Sequence, residues 1–217
     1  MTDVQLWGHS AVSLEKNGRR LVIDPGVFSD TDGLDRADAV LITHAHPDHL
    51  DVAAVAKIGA PVWGDEEVAA LLASSGVARD RIHAVSPGEV FDAAGFEIRT
   101  LGGVHAVIHR DLPAESNIAY LIDGEYLHPG DSFTPAPPGV DVKVLFLPAA
   151  APWLNFTDVV DYVRAVDPRV AIPIHEAQLS EAGLALNDRV LGGLIGEVDY
   201  RRIGRGQSVD LLRDLQA

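Results

Sequence analysis

Three histidines and one aspartate occupy four of the six positions from 44 to 49, as His44, His46, Asp48 and His49. Imidazole nitrogens and carboxylate oxygens are ligands for divalent metals of borderline softness, such as zinc. Because side chains two residues apart on an extended segment point to the same side, His44 and His46 can bind one metal. Pro47 stiffens the turn that follows, and this turn carries Asp48 and His49 in another direction. The spacing therefore predicts two neighbouring metal ions. The alternative is a solvated polar loop, which rarely concentrates histidine in this way.

The residues on either side predict the elements that position this cluster. Ala39–Thr43 is an apolar run with almost no polar interruption, which is typical of a buried strand. Asp51 is a suitable N-cap for a helix over Val52–Ile58. We therefore expect the four side chains to lie between the end of a strand and the start of a helix.

The two halves of the chain follow a similar plan. Asn17-Gly18 and Asp123-Gly124 each predict a hairpin turn, and each hairpin leads to a Pro-Gly pair, at 25–26 and 129–130. The separation from Pro25 to Val40 equals that from Pro129 to Val144, and both valines begin apolar runs. We interpret the chain as one domain over residues 1–217, built from two diverged halves of approximately residues 1–95 and 96–217. Two unrelated strand–helix units that happen to agree are the alternative.

The composition excludes several classes of protein. Hydrophobic residues make up 47% of the 217 residues, which is ample for a buried core, and the absence of cysteine excludes disulfides and thiolate ligands. The 17 Lys and Arg against 32 Asp and Glu give a net charge of −15, which argues against binding RNA or DNA. The N-terminal residues are polar, and neither a signal peptide nor a membrane-spanning segment is visible. A cytoplasmic protein without membrane contact is expected.

The sequence T-H-A-H-P-D-H at Thr43–His49 resembles the H-x-H-x-D-H signature of the metallo-β-lactamase superfamily. This resemblance implies an α+β fold, namely a four-layer αββα sandwich of two mixed β-sheets flanked by helices. Two strand–helix halves of the kind described above can stack their sheets in this way, so the periodicity is consistent with the implied fold.

Three further segments resemble motifs of the same family: Thr100–His105, Gly130-Asp131 and Ile172–His175. The resemblance implies that one metal is bound by His44, His46 and His105, that the other is bound by Asp48, His49 and His175, and that Asp131 bridges them. His109 is a rival for the third ligand of the first metal. We prefer His105, because a predicted strand leads directly into it.

Other residues are expected near the metals. His9, in Gly8–Ala11, resembles an N-terminal motif of the branch that includes cytoplasmic sugar-lactone hydrolases and phosphodiesterases. We expect His9 to reach the rim of a substrate pocket, although a hairpin histidine bonded to the backbone is an equal alternative. His109 and Trp153 lie on loops that are expected to line the same pocket. Asp24 and His128 are candidates to hydrogen-bond metal ligands on the side away from the metal.

The expected function is metal-dependent hydrolysis of a small-molecule ester, lactone or phosphodiester. Two close divalent ions can lower the pKa of water from ~15.7 toward ~7, and Asp48 is the catalytic residue expected to orient the resulting hydroxide. Zn²⁺ is the first choice of metal, with Mn²⁺ or Fe²⁺ as alternatives, since all ligands are nitrogen or oxygen.

Two other functions stay open at this point. A nuclease of the same superfamily is disfavoured by the acidic charge, and a metal- or ligand-binding protein without catalysis is disfavoured by the intact Asp48. Classical β-lactamases place a cysteine at one ligand position, so the absence of cysteine argues against antibiotic hydrolysis. The sequence leaves the oligomeric state open.

Overall fold

The computed structural model describes residues 2–211. Its strands in chain order are β1 Asp3–Gly8, β2 Ala11–Lys16, β3 Arg19–Ile23, β4 Ala39–Leu41, β5 Val62–Gly64, β6 Ile82–Ala84, β7 Val90–Ala93, β8 Phe96–Gly102, β9 Ile118–Ile122, β10 Tyr126–His128, β11 Val144–Pro148, β12 Val170–Ile174, β13 Asp199–Tyr200 and β14 Ser208–Val209. The α-helices are α1 Val52–Ile58, α2 Glu66–Ser74, α3 Phe156–Val166 and α4 Glu181–Leu194, and a short 3-10 helix covers Arg79–Arg81.

The strands form two sheets of seven strands each, with the orders β14-β1-β2-β3-β4-β5-β6 and β13-β12-β11-β10-β9-β8-β7. In the first sheet, β1, β2 and β3 are antiparallel, whereas β3, β4, β5 and β6 run parallel. The second sheet repeats this pattern, with antiparallel strands from β7 to β10 and parallel strands from β10 to β13. Both sheets are therefore mixed.

Alternation along the buried strands divides the core into three layers. Leu41 of β4 and Phe146 of β11 point into the layer between the two sheets, where 22 buried residues meet. Val40 and Leu145, one position earlier on each strand, point to the outer faces. This period of two is what a strand covered on both faces requires.

Helices cover both outer faces. Residues of α1 and α2 pack on the first sheet, and residues of α3 and α4 pack on the second. The order of layers is therefore helix, sheet, sheet and helix, and the αββα fold expected from the sequence is confirmed. The helix over Val52–Ile58 also begins as expected, because the Asp51 side chain accepts hydrogen bonds from the Ala53 and Ala54 amides.

The boundary between the two expected halves, at residues 95 and 96, falls inside the hairpin that joins β7 to β8. Both of these strands belong to the second sheet, whereas β14, near the end of the described chain, pairs with β1 in the first sheet. The duplication itself stays a prediction. Within residues 2–211, no helix combines the length and the apolar character needed to cross a membrane.

Candidate metal centre

The ends of four strands meet at one edge of the sandwich. His44 follows β4, His105 follows β8, Asp131 follows β10 and His175 follows β12. The turn that delivers Asp131 requires glycine at position 130, where φ is +61° and a Cβ would lie 2.3 Å from Asn117 Oδ1. Loops at one end of a sandwich are well placed to combine side chains that are distant in sequence.

The first group of possible ligands consists of His44, His46, His105 and Asp131, whose donor atoms all lie within 4.8 Å of one another. His44 Nε2 is 3.1 Å from His46 Nδ1. His105 Nε2 is 3.4 Å from Asp131 Oδ2. His105 therefore occupies the position for which His109 was the rival.

The second group consists of His9, Asp48, His49 and His175, again with donor atoms within 4.8 Å of one another. His175 Nε2 lies 3.4 Å from Asp48 Oδ2. Asp131 also reaches this group, because its Oδ1 is 3.2 Å from His49 Nε2 and 3.3 Å from His175 Nε2. Asp131 thus directs one oxygen toward each group, which is the arrangement that a bridging ligand needs.

The spacing of the donor atoms suits bound metal ions better than it suits direct hydrogen bonds between the side chains. His105 Nε2, Asp131 Oδ1 and His175 Nε2 are buried side-chain atoms without a hydrogen-bond partner among residues 2–211. Around a tetrahedral metal with ligand distances of about 2.0–2.1 Å, neighbouring ligand atoms lie roughly 3.3–3.4 Å apart. The spacings of 3.2–3.4 Å around Asp131 match this value. The residues present can therefore hold two divalent ions.

Five of the six histidines in the two groups, all except His9, have their other nitrogen next to a neighbouring oxygen. Such contacts fix the ring orientation and the tautomer of a metal ligand. The pairs are His44 Nδ1 with Thr43 Oγ1 at 2.9 Å, His46 Nε2 with Glu115 Oε2 at 2.5 Å, His49 Nδ1 with Asp24 Oδ2 at 2.7 Å, His105 Nδ1 with the Ala106 carbonyl at 2.5 Å, and His175 Nδ1 with the Ala150 carbonyl at 2.5 Å.

Asp24 holds His44 and His49, the two buried histidines of the segment from His44 to His49. It accepts hydrogen bonds from the Thr43 amide and the Thr43 hydroxyl, each at 2.7 Å, besides the bond from His49 Nδ1. Since the Thr43 hydroxyl donates to Asp24, it accepts from His44 Nδ1. One buried carboxylate therefore orients His44 and His49, as its place in the turn before the strand suggested.

The buried charges of the centre are unbalanced without a cation. Burial alone would lower the pKa of His49, but Asp131 and Asp24 outweigh burial and raise it to about 10. In the same way, burial disfavours protonation of His175, yet Asp131 and Asp48 raise its pKa to about 9. Burial would raise the pKa of Asp131, but the charge of His49 holds it well below the usual range. These carboxylates require positive charge, which bound metal ions can supply in place of protons.

His9 is fully buried and lies inside the centre rather than at the rim expected from the sequence. The Ala177 amide donates to His9 Nδ1 at 3.3 Å, and His9 Nε2 lies 3.0 Å from Asp48 Oδ2. Burial lowers the pKa of His9, which favours the neutral ring. Because Nδ1 accepts, the ring proton is on Nε2, which donates to Asp48.

Trp153 and His109 occupy different environments. Trp153 Nε1 donates a 3.0 Å hydrogen bond to Asp131 Oδ2, so this indole touches the centre directly. His109 is exposed on the loop after β8, where its Nδ1 accepts from the Asp111 amide at 3.2 Å. It belongs to neither group of possible ligands, but it lines a cavity in that loop together with His105.

Two other residues differ from the sequence-based view. His128 is fully buried, donates from Nε2 to the Ser10 carbonyl at 3.1 Å and accepts from the Gly130 amide, so it holds the turn before Asp131 rather than a ligand. The sequence-based predictions missed Glu115, which contacts His46. Nothing in the local sequence around Glu115 distinguishes it from a solvated loop residue.

Comparison with known proteins places these features in a wider group. A family model described as a beta-lactamase superfamily domain matches residues 3–175. Protein Rv0786c of Mycobacterium tuberculosis is 40% identical over 182 residues, which are 79% of this chain and 82% of that protein. A protein of Methanopyrus kandleri that is named a UPF0173 metal-dependent hydrolase is 27% identical over 193 residues, 77% of this chain and 81% of that one.

Solved structures show the same fold at lower identity. Igni18, a metallo hydrolase from Ignicoccus hospitalis, superposes with a TM-score of 0.71 at 22% identity, over 96% of this chain and 97% of its own. YhfI from Bacillus subtilis, a metallo-beta-lactamase fold protein, gives a TM-score of 0.73 at 17% identity, over 96% and 98% of the two chains.

Proposed function

Since the chain belongs to the beta-lactamase superfamily, we propose that it is a metal-dependent hydrolase with a dinuclear centre. The observation that supports this proposal most directly is the position of Asp131 between two groups of buried ligand atoms. The first metal would be held by His44, His46 and His105, the second by Asp48, His49 and His175, and Asp131 would contact both. All donors are nitrogen or oxygen, which suits Zn²⁺ first and also Mn²⁺ or Fe²⁺.

Two bound divalent ions would lower the pKa of a water molecule toward ~7 and polarise the oxygen of a carbonyl or phosphoryl group. The side chains of the protein orient the attacking water and accept or donate its protons. Asp48 accepts the Nε2–H of His9, and its side chain is 19% exposed compared with 6% for Asp131. Asp48 is therefore the more accessible of the two carboxylates, and it is placed to orient the attacking water and pass its proton to solvent.

The proposed reaction is hydrolysis of a small ester, lactone or phosphodiester. Trp153 supports a reaction site at this edge of the sandwich. Its indole N–H donates a hydrogen bond to Asp131, and its ring packs edge-on against Phe133 with 5.2 Å between the ring centroids. Such a tryptophan shields one side of the centre from water, which strengthens electrostatic interactions within it.

Elemental analysis and a panel of chromogenic substrates test the proposal. We expect two metal ions per chain and turnover of at least one among a p-nitrophenyl ester, a lactone and bis-p-nitrophenyl phosphate. Metal without turnover of any of the three would favour a binding protein on the same fold. Removal of the metal with a chelator is expected to abolish turnover, and its return to restore it.

Two substitutions separate binding from chemistry. Asp131→Asn is expected to lower metal content and turnover together, because both depend on that carboxylate. Asp48→Asn is expected to lower turnover more than metal content. Asp32→Asn is a matched control at an almost fully exposed aspartate. Full metal and full turnover in Asp131→Asn would show that the ligand set is wrong.

A further inference from the structure

The loop between β8 and β9 is unusually apolar for an exposed segment. Four of the ten large hydrophobic side chains exposed within residues 2–211 lie between positions 104 and 115: Val104, Val107, Ile108 and Leu112. Val107 is 73% exposed and Leu112 is 52% exposed. Exposed apolar clusters of this kind mark places where a ligand or partner binds.

This loop encloses a cavity of about 340 Å³, and all of the residues that line it lie between Val104 and Glu115. Pockets that bind small ligands are of this size or larger, and their walls are mainly apolar. The base of the loop is fixed, because the His105 amide donates to the Glu115 carbonyl at 3.0 Å and the Ala106 amide donates to the Asp131 carbonyl at 2.8 Å. These bonds attach the base of the loop to the segment that carries Asp131.

The cavity adjoins the candidate metal centre through His105 and Glu115. His105 forms part of its wall and also belongs to the first group of possible ligands. At the other end of the loop, Glu115 lines the cavity and contacts His46 Nε2. A molecule in the cavity that extends along His105 would therefore lie beside the first group of possible ligands.

The charges near the centre favour an uncharged substrate. Five carboxylates contact the possible ligands or belong to them, and their negative charges exceed the four positive charges of two divalent ions: Asp24, Asp48, Asp131, Glu115 and Glu176. The basic residue in the loop, Arg110, is 88% exposed and lies 3.9 Å from Asp111. An anionic phosphodiester would find neither a net positive field nor a fixed cationic partner at this edge.

From these observations we propose that the 104–115 cavity binds the apolar acyl chain of an uncharged carboxylic ester, with the ester carbonyl next to His105. This inference rests on the proposed hydrolase function and specifies its substrate. In the reaction, the oxygen of water forms a bond to the acyl carbon, the bond from that carbon to the alkoxy oxygen breaks, and the alkoxy group leaves with a proton as the alcohol.

Chain-length preference and one substitution test the cavity. With metal-loaded protein, kcat/KM for p-nitrophenyl octanoate is expected to exceed that for p-nitrophenyl acetate by at least tenfold. Leu112→Ser is expected to lower the octanoate-to-acetate ratio about tenfold, since loss of an apolar contact in a pocket costs this much. Leu194→Ser, at a leucine that is 47% exposed on α4, is the matched control and should leave the ratio unchanged.

A binding measurement separates the cavity from the catalytic proposal. Octanamide, which is uncharged, is expected to bind the wild-type protein in ligand-observed NMR titrations, and at least fivefold more weakly to Leu112→Ser. If octanamide binds in this way while no ester is hydrolysed, the hydrolase proposal fails and the apolar site stands. Equal binding by both proteins, or preference for bis-p-nitrophenyl phosphate over both esters, overturns the acyl site.

The same face could instead pair with a second copy of the chain. Sedimentation velocity of the wild type and Leu112→Ser at several concentrations distinguishes the two occupants. A dimer that dissociates on Leu112→Ser, with an unchanged octanoate-to-acetate ratio, overturns the acyl site in favour of an interface between copies. A sedimentation coefficient that is the same in both proteins, combined with the altered ratio, supports it.

Discussion

Substitution of His9 distinguishes two roles that its position allows. His9 Nε2 lies 3.0 Å from Asp48 Oδ2, and a ring nitrogen of His9 lies within 4.8 Å of donor atoms of His49 and His175. It can therefore be a further ligand of the second metal or a hydrogen-bond donor that orients Asp48. The two roles predict different losses when the imidazole is removed.

The hydrogen bonds of His9 favour the donor role. A backbone amide can only donate, so the contact from the Ala177 amide makes His9 Nδ1 an acceptor. The proton of the neutral ring then sits on Nε2, and a protonated nitrogen does not bind a metal ion. We therefore expect His9→Ala to retain both metal ions and to lose activity through misorientation of Asp48.

The expected loss follows from the strength of one hydrogen bond to a charged group. Such a bond contributes about 1.5–3 kcal/mol, and each 1.36 kcal/mol corresponds to tenfold in rate. If Asp48 needs this bond in the transition state, kcat should fall roughly 10- to 150-fold in His9→Ala. KM should change little, because His9 is buried behind Asp48 and does not line the cavity of the 104–115 loop.

Two further variants make the comparison specific. His9→Gln places an amide N–H near the position of Nε2 and is expected to restore most of kcat. Both variants keep a β-carbon at φ 54°, so their backbone strain is matched. Phe28→Leu, which alters the ring packed edge-on against His9 at 5.4 Å, controls for loss of packing and should retain activity.

The assay combines steady-state kinetics on the most rapidly hydrolysed chromogenic substrate with metal content by mass spectrometry. Loss of one metal equivalent in His9→Ala would refute the donor role and make His9 a ligand. Equal activity of His9→Gln and His9→Ala would also refute the reasoning, because the restored N–H would then have no effect.

Two predictions concern stability. Tyr120→Phe should lower the free energy of unfolding in urea by about 1–3 kcal/mol, because the buried Ile42 carbonyl loses its 2.8 Å bond across the two sheets; a cost below about 0.5 kcal/mol would contradict this role. Burial would raise the pKa of Asp188, but the hydrogen bonds from Arg202 outweigh burial and lower this pKa. The ionised carboxylate therefore stabilises the fold at pH values above the pKa that Asp188 has in the unfolded chain. This stabilisation is lost as the pH falls through the pKa that Asp188 has in the folded protein. Asp188→Asn should therefore reduce the stability difference between pH 6 and pH 3 by less than about 1 kcal/mol, and an increase would contradict the sign.

The parts of the centre that depend on local sequence could be predicted. The apolar run before His44 gives the strand, and the spacing of the four polar side chains that follow gives their directions. His175 comes directly after β12 and His105 follows the end of β8 by three residues, so the topology of the sheets brings both to the same edge. The resemblance to a known signature added which of these residues belong together.

Contacts between distant segments could not be predicted in the same way. Glu115 reaches His46 from an irregular loop, and His9 combines an acceptor site for Ala177 with a donor site for Asp48. These contacts depend on how the two sheets stack and on loop conformation, neither of which leaves a periodic pattern. The helix α4 was also missed, because only two of its residues, Asn187 and Leu191, are buried.

The centre is asymmetric although the two halves of the fold follow the same strand pattern. After β4, the first half supplies His44, His46, Asp48 and His49, whereas the loop after β11 in the second half, residues 149–155, contains neither histidine nor carboxylate. That second loop still faces the same centre, through the Ala150 carbonyl on His175 and the Trp153 indole on Asp131.

This difference explains why two similar halves give one centre instead of two. A loop without ligands of its own can approach the metal positions closely and hold the ligands that come from other strands. Equivalent clusters on both loops would bring several imidazoles and carboxylates together at one edge, where burial of excess charge is costly. The second half therefore contributes its ligands from strand ends β8, β10 and β12, and leaves the β11 loop to orient them.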